Sequence, residues 1–444
     1  MTDLSGNSSE EIIKTEIISD KKGRSFEENE LNNKTNKGRR HKKQVAASAV
    51  ISVLVILITA FIVMYFCGVP FAVKGGYFVK YKIFNAFDNR PNETTPVLIK
   101  DDFADEKAEI YFFDLKNYNT GDCSLVKVGD TEVLIDAGPD VNSLETIDNY
   151  LKDLCTDGKI EYVIVTHADD DHYACFATEK GLFSRYKIGT IIDFAEVSPK
   201  TDKYGVNLRK NSPGYKTYIK ERDKAVNNGA KHFTAAEITE SGNADFGLSE
   251  TLTMRILNNK YYFEPDRENT DTENNHSVCA LFIQKTKDIK TGKENTRNFL
   301  FTGDIESAAE NYLVNSGTLP ETDVFKAPHH GSSTSCSDNF MKAIKPKIVC
   351  VNCTAGTTQY QSDKKYQFPS QKFTDRVSAY TARVYVTAVA DGDGGVKPFN
   401  GTIKITSSEN KITITGSASN EALKNTDWFK KNRKCPVNWA FAEK

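Results

Sequence analysis

The densest chemistry in the sequence is VTHADDDHYA, where three consecutive aspartates lie between His167 and His172. The run just before it, YVIVT, is apolar and β-branched, the pattern of a buried strand. A buried strand that ends in so much negative charge needs a cation, because clustered carboxylates beside an apolar core repel one another unless neutralised. Imidazole nitrogens and carboxylate oxygens are ligands for zinc, manganese and iron. The spacing H-x-D-x-D-H lets alternate side chains of a loop aim at one point and the last two at a second point beside it. The plainer alternative is an acidic, solvated surface loop.

Two further strand-like runs end in the same kind of chemistry. NFLFTGDIE presents Asp304 at a strand tip, and FKAPHHGSSTS sets His329 and His330 before a glycine and a run of hydroxyls. Of the seven histidines, only His41 and His232 lie away from these three clusters, which a chance scatter of surface residues does not explain.

Such clusters have to be positioned by a scaffold, and short apolar runs supply one: IYFFDL, SLVKV, EVLIDA, YVIVT, TIIDF, LTMRIL, VCALFIQ, NFLFTGD, KIVCVN, ARVYVTA and TIKIT. Helix-like segments at Ser143–Leu154, Lys216–Asn228 and Ala308–Asn315 lie among them. This order predicts one α/β domain over residues 106–416, with two mixed sheets packed together and helices outside. No internal repeat is visible. Residues 417–444 read as a polar C-terminal extension that Trp428 and Trp439 are candidates to dock.

The N-terminal part is different in kind. Residues 1–44 are rich in Glu, Lys, Asn and Ser and cannot bury enough apolar surface to fold alone, so they read as a disordered tail ending in the cationic KGRRHKK. Val45 to Cys67 is 23 residues without a charge, long enough to span a bilayer as one helix. The cationic flank places the tail in the cytoplasm, with 68–105 as a linker and the domain outside the cell. The expectation is a single-pass cell-membrane protein with an extracellular domain. A net charge of −2 excludes the overall basic surface of a non-specific nucleic-acid binder. Among nine scattered cysteines, only Cys350 and Cys353 form a C-x-x-C, which argues against a structural zinc site. They lie in the strand-like IVCVNC and are expected as buried thiols, with a disulfide as the extracellular alternative.

Taken together, HADDDH, LFTGD, PHHGS and the strand opening TGDCSLVKVGDTEVLIDAGP resemble the metallo-β-lactamase superfamily over about Glu106 to Thr415. Within it they are most similar to the external domain of competence DNA-uptake channel proteins. The resemblance implies a metallo-β-lactamase-like αβ/βα sandwich, preceded here by the transmembrane helix. It also implies two divalent metal ions, zinc or manganese, with iron as an alternative. His167 and Asp169 would hold the first, and Asp171 and His172 the second. Asp304 would bridge them, and one of His329 and His330, with His330 preferred, would complete the second site. Asp136 matches an aspartate that supports the site from behind. Asp171 and Asp304 are the candidate catalytic residues, Asp171 by orienting a water.

Two departures accompany the match. In ENNHSVCALF, His276 stands a few positions from the usual ligand histidine, while Asn274 sits where the subgroup commonly has Asn. Phe368-Pro369 stands where relatives often carry His-Pro, which implies an open position at the site. His276 is therefore weighed as a ligand or as a structural residue, with Ser332 and Ser333 as candidate substrate contacts. The basic loop Ser198–Lys216, with Lys200, Lys203, Arg209, Lys210 and Lys216, either lines the cleft or is merely solvated.

The function that follows is a membrane-anchored, extracellular, metal-dependent hydrolase of phosphodiesters, nuclease-like, with a metal-activated water as nucleophile. Its substrate would be anionic, nucleic acid among the candidates. The alternatives are another ester, a lactone or an amide as substrate, or a non-catalytic metal-binding or sensor protein. One membrane segment cannot build a pore, so a part in DNA uptake would require protein partners.

Overall fold

A computed structural model describes residues 106–441, apart from 269, 271, 288–290, 361 and 410. The expected tail, transmembrane segment and linker lie outside the described residues, and among the described residues no helix is long and apolar enough to cross a membrane.

The β-branched and aromatic runs form strands: β1 (Ala108–Phe112), β2 (Ser124–Val128), β3 (Thr131–Ile135), β4 (Lys159–Val165), β5 (Lys187–Asp193), β6 (Lys231–Thr234), β7 (Asp245–Gly247), β8 (Leu252–Ile256), β9 (Ala280–Lys287), β10 (Glu294–Phe301), β11 (Val324–Lys326), β12 (Ile348–Ala355), β13 (Val384–Ala390), β14 (Val396–Pro398), β15 (Ile403–Ser407) and β16 (Ile412–Gly416). They make two sheets, ordered β16-β15-β1-β2-β3-β4-β5-β6 and β14-β13-β12-β11-β10-β9-β8-β7. In the first, β3 to β6 are parallel and the rest antiparallel. In the second, β10 to β13 are parallel, flanked by antiparallel strands on both sides. Mixed sheets covered on both faces were expected, and their parallel centres explain the continuous apolar runs.

Successive residues of a strand face opposite sides, so each central strand feeds two cores. Phe112, Val133, Ile164 and Ile192 from the first sheet meet Met254, Phe282, Phe301 and Val324 from the second in the layer between them. The rings of Phe112 and Phe301 stack across it at 5.8 Å. On the outer face of the first sheet, Leu134, Val163 and Ile191 pack against Ile147 and Leu151 of the helix Leu144–Leu154 and Tyr218 of Pro213–Asn227. On the outer face of the second, Leu300, Phe325 and Val349 pack against Leu313 of Ser307–Asn315 and Phe340 of Asp338–Ile344. Burying one such side chain contributes about 1.5–3 kcal/mol, so both sheets are held on both faces.

The C-terminal stretch is not a loose appendage. Phe429 and Trp439 are buried in the outer core of the second sheet, and Trp439 Nε1 donates to the Thr381 carbonyl at 2.7 Å. Trp428 packs edge-on to Phe399 with its ring under Arg433. Cys350 and Cys353 are free buried thiols on β12, as are the other buried cysteines among the described residues.

Candidate metal centre

Strands β3, β4, β10 and β11 end at Ile135, Val165, Phe301 and Lys326, and the motif residues follow directly. Sites in sheets with parallel strands lie beyond the carboxyl ends, and here the ends of both sheets converge on one. The convergence needs a close backbone approach. Asp122 N donates to the Asp171 carbonyl at 3.1 Å and Gly138 N to the Asp122 carbonyl at 2.9 Å. A Cβ on Gly138 would sit 1.5 Å from Asp171 O, so only glycine fits there.

Three imidazoles point into the resulting cavity. His172 Nε2 lies 3.2 Å from Asp304 Oδ2, and His330 Nε2 lies 3.3 Å from that same oxygen and 3.3 Å from Asp171 Oδ2. His167 Nε2 faces Asp169 Oδ2 at 3.5 Å, and His167, His172 and Asp304 bring ligand atoms within 4.8 Å of one another. All three rings are essentially inaccessible to solvent.

The opposite nitrogen of each ring is engaged, and that fixes which proton it carries. His172 Nδ1 donates to Asp136 Oδ2 at 2.8 Å, and His330 Nδ1 donates to the Asn352 carbonyl at 2.9 Å. Thr166 Oγ1 already donates to Asp136 Oδ2, and Ser277 Oγ to the Asn274 carbonyl, so both hydroxyls accept from His167 Nδ1, at 3.0 and 3.2 Å. In the neutral ring each Nε2 would therefore present a lone pair to the cavity, as metal-ligating histidines do. Among the described residues, neither His167 Nε2 nor His172 Nε2 has a hydrogen-bond partner. Leaving a buried acceptor unpaired costs about 1–3 kcal/mol, which a bound cation removes. Three imidazoles with Asp169, Asp171 and Asp304 form a mixed nitrogen and oxygen set that fits zinc, manganese or iron.

The electrostatics ask for the same thing. Burial works against charge on Asp304, yet His330, His172 and Lys326 around it hold its carboxyl well below the usual range. Burial likewise opposes protonation of His330, but Asp304 and Asp122 push it up to about 10. His172 is raised well above its usual value in the same way, chiefly by Asp304 and Asp136 against burial. Without a metal, His172 and His330 hold a second proton because the surrounding carboxylates require positive charge, and a bound cation would take that proton's place.

Two resident cations supply part of it. Lys326 Nζ is buried between Asp122 Oδ2 and Asp304 Oδ1, the latter at 3.1 Å, and also donates to the Gly303 carbonyl. Arg209 bridges Asp169 Oδ1 at 2.5 Å and Glu273 Oε1 at 3.1 Å. Six carboxylates (Asp122, Asp136, Asp169, Asp171, Glu273, Asp304) set against these two cations leave four negative charges when the imidazoles are neutral, or three when Glu273, pushed up to about 7 by burial, is protonated, a deficit suited to divalent ions.

The backbone at PHHG is strained: His329 and His330 have φ of 49° and 53°, in the left-handed region. Such conformations cost about 1–3 kcal/mol each and persist where the surroundings impose them. Here the ring of Phe368 packs 5.6 Å from both imidazoles, and Ser370 N donates to the Gly331 carbonyl. The turn separates the pair. His330 enters the cavity, while His329 turns outward to Glu306 Oε1 at 3.3 Å and only its backbone N–H reaches Asp304 Oδ1.

The sequence model of the metallo-β-lactamase superfamily matches residues 118–207, which span TGD, Asp136 and HADDDH. Over these residues the chain matches that superfamily, and its two mixed sheets make a metallo-β-lactamase-like fold. The chain is 26% identical over 144 residues to Recombination protein 2 of Haemophilus influenzae, covering 32% of this chain and 16% of that protein. It is 24% identical over 230 residues to ComE operon protein 3 of Bacillus subtilis, covering 52% of this chain and 24% of that protein. It thus spans at most about a quarter of the length of the relatives it matches. Among solved structures, it is similar to the metallo-β-lactamase fold protein YhfI from Bacillus subtilis, with a TM-score of 0.34 and 11% identity over 65% of this chain and 99% of that one. Rm3 metallo-β-lactamase gives 0.28 and 12%, over 52% of this chain and 80% of that one.

In this metallo-β-lactamase-like fold, Asp136 lies directly behind His172 and also accepts from Thr166 N. Asn274 reaches Glu306 and His329 at the rim rather than the centre. His276 is not a ligand: its Nδ1 faces the Tyr261 carbonyl and its Nε2 accepts from Asp266 N, and burial lowers it to about 4, so it is a neutral structural residue. Ser332 does not face the centre either; it is buried and its hydroxyl pairs with Thr334. Phe368 fills space beside His330 with an apolar ring. The residues that sequence reasoning did not place at the centre are Asp122, Lys326, Glu273, Glu306 and Tyr360, whose hydroxyl donates to Asp171 Oδ2 at 2.7 Å. Gly121-Asp122 and a lone lysine after the apolar Val324-Phe325 were available signals; Glu273 and Tyr360 carried none.

Proposed function

We propose that this chain is a membrane-anchored, extracellular, metal-dependent hydrolase that cleaves phosphodiesters. The observation that carries it is the convergence of His172 Nε2 and His330 Nε2, each ring fixed by a partner at Nδ1, on Asp304 Oδ2 and Asp171 Oδ2, with His167 Nε2 beside them at Asp169 Oδ2. Divalent ions held there by His167, Asp169, Asp171, His172, Asp304 and His330 would lower the pKa of water and polarise a phosphoryl group. The chain's own residues hold the geometry. Asp136, Thr166 and Asn352 lock the rings, Tyr360 orients Asp171, and Lys326 keeps one oxygen of Asp304 away from the cavity. Zinc, manganese and iron all suit this donor set. The phosphodiester, with nucleic acid as one form of it, is favoured over a lactone or amide by the likeness to a protein named for recombination. The extracellular placement rests on the cationic flank and apolar run at residues 37–67.

A non-catalytic reading has one observation in its favour: Lys326 and Arg209 already neutralise part of the site. Elemental analysis of the purified full chain, with hydrolysis of bis(p-nitrophenyl) phosphate, separates the two. Bound metal with turnover, both lost in Asp304→Ala, supports the hydrolase. Metal with no turnover of any phosphoester overturns it.

A further inference from the structure

The basic loop between β5 and the helix Pro213–Asn227 is built to deliver one residue. Asn207 caps the short turn Leu208–Asn211 by accepting from Lys210 N at 2.8 Å, and its side-chain amide donates to the Ser198 carbonyl at 2.8 Å. Ser198 N in turn donates to Glu273 Oε2 at 2.6 Å, which ties the loop to the rim of the centre. Arg209 projects from this frame with Nη2 on Asp169 and Nε on Glu273. Its side chain is 24% exposed; Nε and Nη2 make these two ion pairs, the Tyr173 hydroxyl lies beside the guanidinium, and Nη1 belongs to neither pair. Two carboxylates thus hold the guanidinium rigidly at the mouth, one of them a candidate metal ligand, while one edge of the donor fork stays open.

We infer that Arg209 is the anion anchor of the centre, presenting Nη1 to a non-bridging oxygen of a phosphoryl group positioned over His167 and Asp169. A guanidinium matches phosphate oxygens in a fork geometry that a lysine ammonium lacks, and holding it in place beforehand removes the entropy that a free arginine would lose on binding. The neighbouring Lys210 is exposed and serves as the control for general charge. The inference deepens the phosphodiester reading but is tested separately from it, by binding.

The test uses the full-length protein loaded with manganese and titrated calorimetrically with inorganic phosphate, alongside metal analysis and hydrolysis of bis(p-nitrophenyl) phosphate. Arg209→Gln is expected to weaken phosphate binding by about tenfold or more, the scale of a lost hydrogen bond to a charged group, with bound metal unchanged. Arg209→Lys should fall between it and the parent, and Lys210→Gln should match the parent. For the diester, KM should rise more than kcat falls. Phosphate affinity unchanged in Arg209→Gln at saturating manganese would make Arg209 a mere brace for Asp169 and overturn the inference, as would a manganese-loaded parent that binds no phosphate. If Arg209→Gln does not fold, Arg209→Lys alone decides by the same criterion. Arg209-dependent phosphate binding without diester turnover would uphold the anchor and refute the phosphodiesterase.

Discussion

Lys326 Nζ stands 3.1 Å from Asp304 Oδ1, so the two oxygens of Asp304 face different partners: one an ammonium behind the site, the other the imidazoles of His172 and His330. Burial would lower the lysine's pKa, but Asp122 and Asp304 raise it well above its usual value, so it is a permanent cation. Replacing it leaves two buried carboxylates uncompensated. Lys326→Met should destabilise the protein by about 3–5 kcal/mol in denaturant titration. Adding Asp122→Asn to Lys326→Met should recover part of that loss, because the two share one interaction.

The Asp136–His172 pair sets ring orientation without touching the cavity. Asp136→Asn is expected to lower metal affinity about 10–100-fold, the usual effect of losing a partner behind a ligating histidine. Competition with a chromogenic chelator measures it; an affinity within twofold of the parent would remove Asp136 from this role.

Metal binding and protons are linked. His330 titrates near 10 and His172 well above its usual value when no metal is bound, so loading at neutral pH should release protons. Calorimetry in buffers of different ionisation enthalpy counts them. The same shift sets the stability of the metal-free protein. A raised histidine contributes fully below its unfolded value of 6.5 and its contribution is lost as pH rises through about 10. The depressed Asp304 acts oppositely: its contribution is present above 3.8 and lost on acidification below that. Through these groups, metal-free stability should be greatest between about 4 and 6.5 and decline toward 10.

Gly138→Ala places a methyl group against the Asp171 carbonyl, where its Cβ would lie 1.5 Å away. The loop must shift, at a cost of at least about 1–3 kcal/mol. Because Asp171 moves with that carbonyl, metal affinity should fall along with the thermal midpoint.

Trp439 is 1% exposed and hydrogen-bonded to Thr381, so the C-terminal stretch is part of the folding unit. Trp439→Ala should cost about 3–5 kcal/mol by chemical denaturation. A cost below 1 kcal/mol would return residues 417–444 to the status of an appendage.

Much of this was legible in the chain because buried parallel strands and strand-end ligands write strong local patterns. Within residues 106–416 each apolar run named above became a strand, and HADDDH, LFTGD and His330 lie together. The short strands β6, β7, β11 and β14 escaped notice because three or four residues make no periodic signal, and β16 because an edge strand is half polar. Arg209 and Tyr360 act through contacts 40 and 189 positions away in the chain, and no local pattern encodes such a partner. Trp439 was ambiguous for a related reason: its polar neighbours hide a residue whose burial depends on strands far upstream.

Asp171 and His330 face each other across 159 positions of chain and come from opposite sheets. A cation held between them would act as a reversible staple closing a very long loop. Closing a flexible loop of that length costs about 4–5 kcal/mol in chain entropy, so the bound ion would hold the two halves of the sandwich in register as well as serving chemistry. Chelation would then be felt far from the cavity, as faster proteolysis along the seam between the sheets.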